Sequence, residues 1–169
     1  MQIRGIIVAL LPLFSFAPAC KEESSRAAAA PEASLFEGGC FRFSVRPGYK
    51  AHQASTILTI ISPSPKIPMI VVQVIPQPTL TLPELIRRQT LTMRMRRGAE
   101  ILADRPWKVD GVPGHRFVSG DPQEYNDFAF VVREGRGIVF GVNGRDLAKA
   151  LAPGHLKEFL QTVRWTACR

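Results

Sequence analysis

Residues 125–143 read YNDFAFVVREGRGIVFGVN, and this stretch decides the fold. Apolar and β-branched residues fill both of its ends, and two glycines in the centre, in Gly135-Arg136-Gly137, are typical of a tight turn. The stretch therefore predicts two antiparallel strands, at residues 125–133 and 138–143, joined by a hairpin turn at that tripeptide.

Upstream of this hairpin, the sequence predicts further strands and one clear helix. The strands are expected at residues 40–45, 56–61, 69–75, 100–109 and 114–119. The run at 69–75 is so continuously apolar that burial of both its faces is expected. The helix is expected at residues 81–97, because Thr81-x-x-Glu84 forms a capping box, Pro83 is tolerated in a first turn and Gly98 is a stop signal. Its apolar face is expected to hold Leu82, Leu85, Ile86, Gln89 and Met93.

Downstream of the hairpin, two short helices are predicted at residues 147–151 and 155–162. Pro153 is expected to separate them, because proline interrupts a helix. A last strand is predicted at 163–167. Helices placed among antiparallel strands indicate a single α+β domain, with an antiparallel sheet flanked by helices.

The N-terminus predicts export. Residues 1–19 are interpreted as a cleaved signal peptide, with a basic Arg4, an apolar run over residues 5–16 that is too short to span a bilayer, and small residues at the cleavage site. Cys20 follows directly, and Phe16-Ala17-Pro18-Ala19-Cys20 resembles a bacterial lipobox, in which the cysteine receives lipid. Ala17 stands where the lipobox prefers Leu, so ordinary cleavage to a soluble secreted protein remains an alternative.

A tether and a domain are predicted after the signal peptide. Residues 20–34 are interpreted as the lipidated Cys20 and a flexible tether, because residues 21–34 hold no large apolar residue. The α+β domain is predicted at 35–169. Lys21, where an Asp would retain a lipoprotein in the inner membrane, favours the outer membrane facing the periplasm. Cys40 and Cys168 then predict a disulfide in an oxidising compartment, with two unpaired thiols as the alternative.

Three segments together resemble the PsbP-like superfamily, which includes the DcrB-type envelope lipoproteins and the Ran-binding Mog proteins. They are residues 41–49 (FRFSVRPGY), the helix after the third strand, and residues 109–117 (VDGVPGHRF), with a final helix running into residues 162–165 (TVRW). The resemblance covers about residues 36–165. It implies an α/β/α sandwich around an antiparallel sheet and a protein that binds or scaffolds others without catalysis.

No motif in the sequence predicts catalysis, a cofactor or a metal site. The histidines (His52, His115 and His155) lack metal-site spacing, and neither a serine-hydrolase elbow nor a nucleotide-binding glycine pattern occurs. His115 either faces a pocket or is an ordinary strand histidine. The scattered acids Asp121, Glu124, Asp127 and Glu134 lack the pattern of a calcium loop. We therefore expect a protein that is not an enzyme, with no catalytic or metal-binding residue and no cofactor.

The net charge is +8, which favours anionic partners. Five arginines on or just beyond the first helix form the one unusual cluster: Arg87, Arg88, Arg94, Arg96 and Arg97. Guanidinium groups bind phosphate or carboxylate, so a phospholipid, another anionic polymer or an acidic envelope protein is a candidate partner. A merely solvated face is the alternative, and nucleic acid is disfavoured by the predicted export.

The sequence thus favours a non-catalytic, membrane-anchored lipoprotein that acts as a binding or assembly module in the cell envelope. Two alternatives stay open. One is a toxin-immunity or stress lipoprotein, and the other is a ligand carrier or hydrolase with an unrecognised pocket.

Overall fold

The computed structural model describes residues 33–36, 40–121 and 123–167. The chain in these ranges forms ten strands and two helices. In order they are β1 (Ala33–Phe36), β2 (Phe41–Ser44), β3 (Lys50–Ala54), β4 (Ile57–Ile61), β5 (Ile70–Pro76), α1 (Leu82–Met95), β6 (Glu100–Val109), β7 (Val112–Gly120), β8 (Tyr125–Arg133), β9 (Arg136–Gly144), α2 (Asp146–Thr162) and β10 (Arg164–Trp165).

The strands form two antiparallel sheets. The larger has seven strands in the order β3-β4-β5-β9-β8-β7-β6, and the smaller has three in the order β1-β2-β10. The predicted α+β fold with an antiparallel sheet and flanking helices is confirmed. The division into two sheets was not predicted, because β1 was not recognised as a strand and because local sequence does not show which strands pair, although the strand at β10 was predicted.

Two apolar clusters pack on opposite faces of the large sheet. Successive residues of a strand point to opposite faces, and in β8 Phe130 joins one cluster whereas Ala129 and Val131 join the other. Helix α1 covers the cluster that contains Phe130. Helix α2 and the small sheet cover the second, larger cluster. The result is a layered sandwich with the large sheet in the middle.

Aromatic rings fill the centre of the larger cluster. The ring of Phe41 lies 5.4 Å from that of Phe140 and 5.7 Å from that of Trp165, in edge-to-face arrangements that aromatic pairs prefer. Phe43 meets Phe159 of α2 at 5.6 Å. The short strand β2 is therefore the element that joins the small sheet to the helix and to the large sheet.

The central hairpin forms as predicted, with its turn one residue earlier. Arg133 pairs with Arg136, which leaves Glu134 and Gly135 as a two-residue loop. Both have positive φ, 48° and 71°, as a type I′ turn requires. Gly137, predicted to be in the turn, lies in β9 instead, against Leu80 and Leu85.

Helix α2 runs through Pro153 as one helix, so the prediction of two short helices was wrong. A proline removes one backbone hydrogen bond from a helix interior. Leu156, Phe159 and Leu160, all buried in the core, anchor the second half of the helix on the sheet. Tertiary packing has overridden the local stop signal.

Strands β3 and β5 also differ from the sequence-based expectation. Every residue of β3 is exposed, so it carries no apolar pattern that sequence reasoning could detect. In β5, the side chains of Ile70, Val72 and Val74 are buried, and the intervening ones are only half-buried. The expectation that both faces of this strand are buried was therefore wrong for one face.

The ends of the domain bear on the predicted tether and disulfide. Strand β1 begins at Ala33, two residues inside the predicted tether, because Ala33 pairs with Ser44 of β2. Cys40 lies in a turn at φ 57° and is buried, rather than on the polar side of a strand. Cys168 lies outside the described residues, as do the predicted signal peptide, Cys20 and the tether up to residue 32, so these remain predictions.

Gly114 is a position where the packing of two strands requires glycine. A Cβ atom built there would lie 2.5 Å from the backbone oxygen of Phe130, which cannot move away without shifting β8. We expect Gly114→Ala to lower the free energy of unfolding by about 1–3 kcal/mol, measured by urea denaturation. Gly120→Ala on the same strand is the control, because its nearest atom would be 3.6 Å away. Equal stability of the two variants would contradict this packing.

Candidate functional site

Helix α1 carries the arginines that the sequence singled out. The side-chain oxygen of Thr81 accepts a hydrogen bond from the Glu84 N–H, so the predicted cap forms. Leu85 is fully buried, and Leu82, Ile86 and Met93 pack on the core around it. The predicted Gln89 is half-buried, and Thr90, which was not predicted, is fully buried, with its hydroxyl donating to the Ile86 carbonyl at 2.8 Å.

The five predicted arginines do not form one cluster. Arg88 pairs with Glu84 and donates to Gln77 Oε1 at 3.0 Å. Arg96 is held on the other side by Asp121, with a 2.8 Å Nε–Oδ2 distance, and by Glu124. Arg94 pairs with Asp104 of β6. Arg87 and Arg97 are exposed and have no ion pair within the described ranges.

Arg87 and Arg94 line one groove, as their spacing of seven residues predicts. The groove runs between α1 and the β6–β7 edge of the large sheet, is widely open and has a volume of about 520 Å³. We call it the α1–β6 groove. Its lining consists of Pro83, Ile86, Arg87, Leu91, Arg94, Asp104 and His115.

One wall of the α1–β6 groove is a polar cluster of Arg94, Asp104 and His115. The two carboxylate oxygens of Asp104 have separate partners, Arg94 Nη2 and His115 Nε2, each at 2.6 Å. Arg94 also lies over the ring of Phe117, with 4.9 Å from its guanidinium carbon to the ring centroid. His115 therefore faces this groove, the option that the sequence left open.

The pKa of Asp104 reflects these contacts. Burial raises the pKa, but the hydrogen bonds from His115 and Arg94 and the charge of Arg94 outweigh it, so the pKa lies below its ordinary value. A carboxylate held in this way is a poor general base, because both oxygens are occupied and its proton affinity is reduced.

The cluster predicts an acid-dependent loss of stability. A carboxyl group whose pKa is lowered by folding stabilises the protein above its unfolded-state pKa, and that stability is lost as the pH falls through the folded-state value. We expect the gap in free energy of unfolding between the native protein and Asp104→Asn to shrink from pH 7 to about pH 2. Urea denaturation at both pH values measures it, with Glu100→Gln on the same strand as control. A gap that stays constant would contradict the pairing.

Apolar side chains are exposed in the groove, at Leu91, and elsewhere on the two elements that form it. Leu91 is 51% exposed and Met95 76% exposed on α1, and Ile101 at the start of β6 is 49% exposed. In the pairing of β6 with β7, Ile101 stands opposite Ser119 and Asp104 stands opposite Phe117. Phe117 lies on the face of the sheet that α1 covers, so the side chains of these residues project from that face. The α1–β6 groove thus combines exposed apolar surface with the charge of Arg87, which has no ion-pair partner among the described residues.

The other histidines and acids stand apart from this groove. His52 is exposed on β3, and His155 is a buried residue of α2. The described residues contain no group of three or more His, Cys, Asp or Glu side chains that could hold a metal ion. The loop acid Asp121 instead accepts hydrogen bonds from the backbone N–H groups of Gln123 and Glu124. Its other oxygen is held by Arg96.

Sequence reasoning missed a buried ion pair between Arg116 and Asp127. Arg116 Nε and Nη2 donate to the two carboxylate oxygens of Asp127 at 3.0 and 2.7 Å, in bidentate geometry. The Asp127 side chain is completely buried, and Arg116 also lies 5.3 Å from the ring of Trp107. Burial raises the pKa of Asp127, and it also raises that of the neighbouring Tyr125 to about 12.

This ion pair could have been predicted only from the register in which β7 pairs with β8. Val118 stands opposite Asp127, which places Arg116 diagonally across from it on the same face. A single sequence does not reveal which residues of two strands stand opposite each other. The pair lies inside the core, so we interpret it as structural.

No helix in the described part of the chain is long and apolar enough to cross a membrane. No family model matches the chain, and no curated protein does. Among solved structures it is similar to the cyanobacterial PsbP (CyanoP) of Synechocystis sp. PCC 6803. The identity is 10%, the alignment covers 82% of this chain and 95% of that one, and the TM-score is 0.56.

The fold is PsbP-like.

Two further structures agree with this assignment. LpqN, a protein involved in cell envelope biogenesis of Mycobacterium tuberculosis, is 7% identical over 80% of this chain and 91% of that chain, with a TM-score of 0.56. A protein of Bacteroides thetaiotaomicron VPI-5482 is 6% identical over 81% of this chain, with a TM-score of 0.55, and the match spans 49% of its length. Identities this low establish the shared fold alone.

Proposed function

We propose that this protein is a non-catalytic, lipid-anchored module that binds a partner in the bacterial cell envelope. The observation that supports this most is the α1–β6 groove, where the half-exposed Leu91 lies next to Arg87, while the two elements that form the groove also expose Met95 and Ile101. Exposed apolar side chains in one patch, bordered by charge, mark interaction surfaces in soluble domains. The groove is therefore better suited to binding another macromolecule than to catalysis.

The polar groups of the groove support a binding role. Asp104 is occupied on both oxygens, so its carboxylate is not poised to accept a proton from a substrate. Arg94 is neutralised by Asp104, whereas Arg87 has no carboxylate partner in the described part of the chain. We infer that Arg87 meets an acidic group of the partner.

The envelope location rests on the N-terminus and on one structural relative. Residues 1–19 have the order of an export signal, and Cys20 stands where a lipobox places its cysteine. LpqN, which shares the fold, is involved in cell envelope biogenesis. We propose an anchor at Cys20 in the outer membrane facing the periplasm, and a soluble secreted form is the alternative that the anchor experiment tests.

The anchor is tested by labelling cells with radioactive palmitate. We expect label on the native protein, and none on Cys20→Ala, which moves from the membrane fraction to the soluble fraction. One lipid chain gives only marginal membrane binding, so the diacylated and acylated form is needed for stable anchoring. A native protein that carries no label would contradict the anchor.

Binding is tested by affinity capture from detergent-solubilised membranes. Leu91→Glu places a charge in the groove without disturbing the core, because Leu91 is half-exposed. We expect a co-purifying component that is lost with Leu91→Glu and retained with Lys157→Glu, an exposed change on α2. A native protein that captures nothing above the level of an untagged control would contradict the proposal.

A further inference from the structure

The described elements leave part of the large sheet open to solvent on the face where α1 packs. In β4, Leu58 and Ile60 are buried in the larger cluster, on the side of α2 and the small sheet. The alternate residues Ile57 and Ile61 therefore point to the other face, and they are 43% and 46% exposed. Helix α1 packs over β7, β8 and β9 and meets the end of β5 at Ile75. Apolar surface of β4 is thus exposed beside α1.

The neighbouring strands extend this surface. Lys50 of β3 stands opposite Ile61, and Val71 of β5 stands opposite Thr59. Met69, which is 49% exposed, directly precedes β5 at the end of β4 where Ile61 lies. Residues that stand opposite each other share a face of the sheet. We call the resulting surface the β4 patch, and it consists of Lys50, Ile57, Ile61, Met69 and Val71.

The β4 patch lies in a part of the chain without acidic residues. The 14 Asp and Glu residues all fall outside residues 38–83, a span that holds the basic residues Arg42, Arg46, Lys50 and Lys66. Lys50 is exposed in the patch, and Lys66 is exposed in the loop that joins β4 to β5. The charges of the patch and of this loop are therefore positive, which makes them complementary to an anionic surface.

The residue types of the patch favour a lipid surface over a protein. The centres of protein interfaces are enriched in aromatic residues and arginine and depleted in lysine. The β4 patch has aliphatic side chains and a lysine, without an aromatic residue or an arginine. A lysine can lay its hydrocarbon stem along apolar surface while its ammonium group reaches outward. Apolar area combined with attraction to anionic lipids is what holds a protein at a membrane interface.

We propose that the β4 patch binds the surface of a membrane that contains anionic phospholipids. Ile61 and Met69 enter the headgroup region, and Lys50 and Lys66 contact phosphate groups. The β3–β4 edge of the sheet then faces the membrane, and the α1–β6 groove, on the far side of α1, stays open to a partner. This binding goes beyond the proposed function, because it depends neither on lipid at Cys20 nor on a partner in the groove.

Vesicle binding of the full-length chain tests the proposal. The chain carries Cys20→Ser, which removes the predicted acylation site, and the vesicles contain equal parts of phosphatidylcholine and phosphatidylglycerol. We expect saturable binding, much weaker to phosphatidylcholine alone, and an affinity lowered at least about tenfold by Ile61→Glu. Ile101→Glu is the matched control, because Ile101 is 49% exposed on β6, at the opposite edge of the sheet. It makes the same charge change and should alter the affinity by less than about twofold.

A second measurement uses the same chain without a substitution in the patch, so it holds even where Ile61→Glu fails to fold. Isotope-labelled protein is bound to bicelles of the same two lipids, some of which carry a paramagnetic headgroup. We expect the amide NMR signals of residues 57–69 to broaden more than those of residues 154–162 on α2 or of residue 91 in the groove.

Three results would overturn the proposal. One is an equal loss of affinity in Ile61→Glu and Ile101→Glu, or none in either. Another is broadening that is uniform or strongest away from the β4 patch. The third is a lipid-free dimer that Ile61→Glu abolishes, which would show that a second copy of the chain covers the patch. None of these results bears on capture of a partner through Leu91, so the two proposals fail separately.

Discussion

Replacing Asp127 by Ala is expected to destabilise the domain by about 3–5 kcal/mol. The carboxylate is fully buried and receives both hydrogen bonds from Arg116, whose side chain is only 11% exposed. Its removal leaves a buried guanidinium without its counter-charge, beside Trp107. The expected result is a large drop in the free energy of unfolding, measured by urea denaturation.

A double variant separates the buried charge from the lost volume. Arg116→Met combined with Asp127→Leu removes both charges and keeps apolar side chains in the core. Such replacements of a buried pair are often neutral or stabilising, so we expect the double variant to be more stable than Asp127→Ala. If Asp127→Ala lowered the free energy of unfolding by less than about 1 kcal/mol, the Arg116–Asp127 pair would be no stronger than an exposed ion pair. That result would contradict the burial of the pair.

The second large effect is expected at Cys168. The backbone N–H of Thr166 donates to the carbonyl of Cys40 at 2.8 Å, which brings the chain two residues before Cys168 next to Cys40. A disulfide between Cys40 and Cys168 would close a loop of nearly the whole domain. In the chain-entropy model, a disulfide that closes a loop of this length stabilises the folded state by about 4–5 kcal/mol. We expect Cys168→Ser to lower the free energy of unfolding by about that amount under oxidising conditions.

The control for this prediction is the same measurement in a reducing agent. Native protein and Cys168→Ser should then have similar stability, because neither retains the bond. Cys20→Ser should leave the stability unchanged in both conditions. Two reactive thiols in non-reduced exported protein, detected by mass spectrometry, would contradict the pairing.

The sequence predicted the elements whose buried side chains leave a clear apolar pattern. Strand β8 and its hairpin partner were found because Phe130, Val131 and their neighbours are apolar and bounded by a turn. Helix α1 was found from its cap and its apolar spacing. Strand β3 was missed because all its residues are exposed, so its sequence has no apolar pattern that would indicate a strand.

The candidate site was predictable only in part. The spacing of Arg87 and Arg94 placed them on one side of α1, and both line the groove. The carboxylates that hold the arginines were not predictable, because Asp104 is ten residues from Arg94 and Glu124 is 28 residues from Arg96. Partners this distant meet only after the strands have paired, so local sequence cannot distinguish a free cationic cluster from a neutralised one.

The central claim, that the α1–β6 groove binds a partner in the envelope, is tested most directly by photocrosslinking in intact cells. A photoreactive amino acid is placed at position 91 in the groove and, as the control, at position 157 on α2. We predict a discrete crosslinked product from position 91, lost when Arg87→Glu is added, and none from position 157. Equal products from both positions, or none from position 91, would contradict the claim.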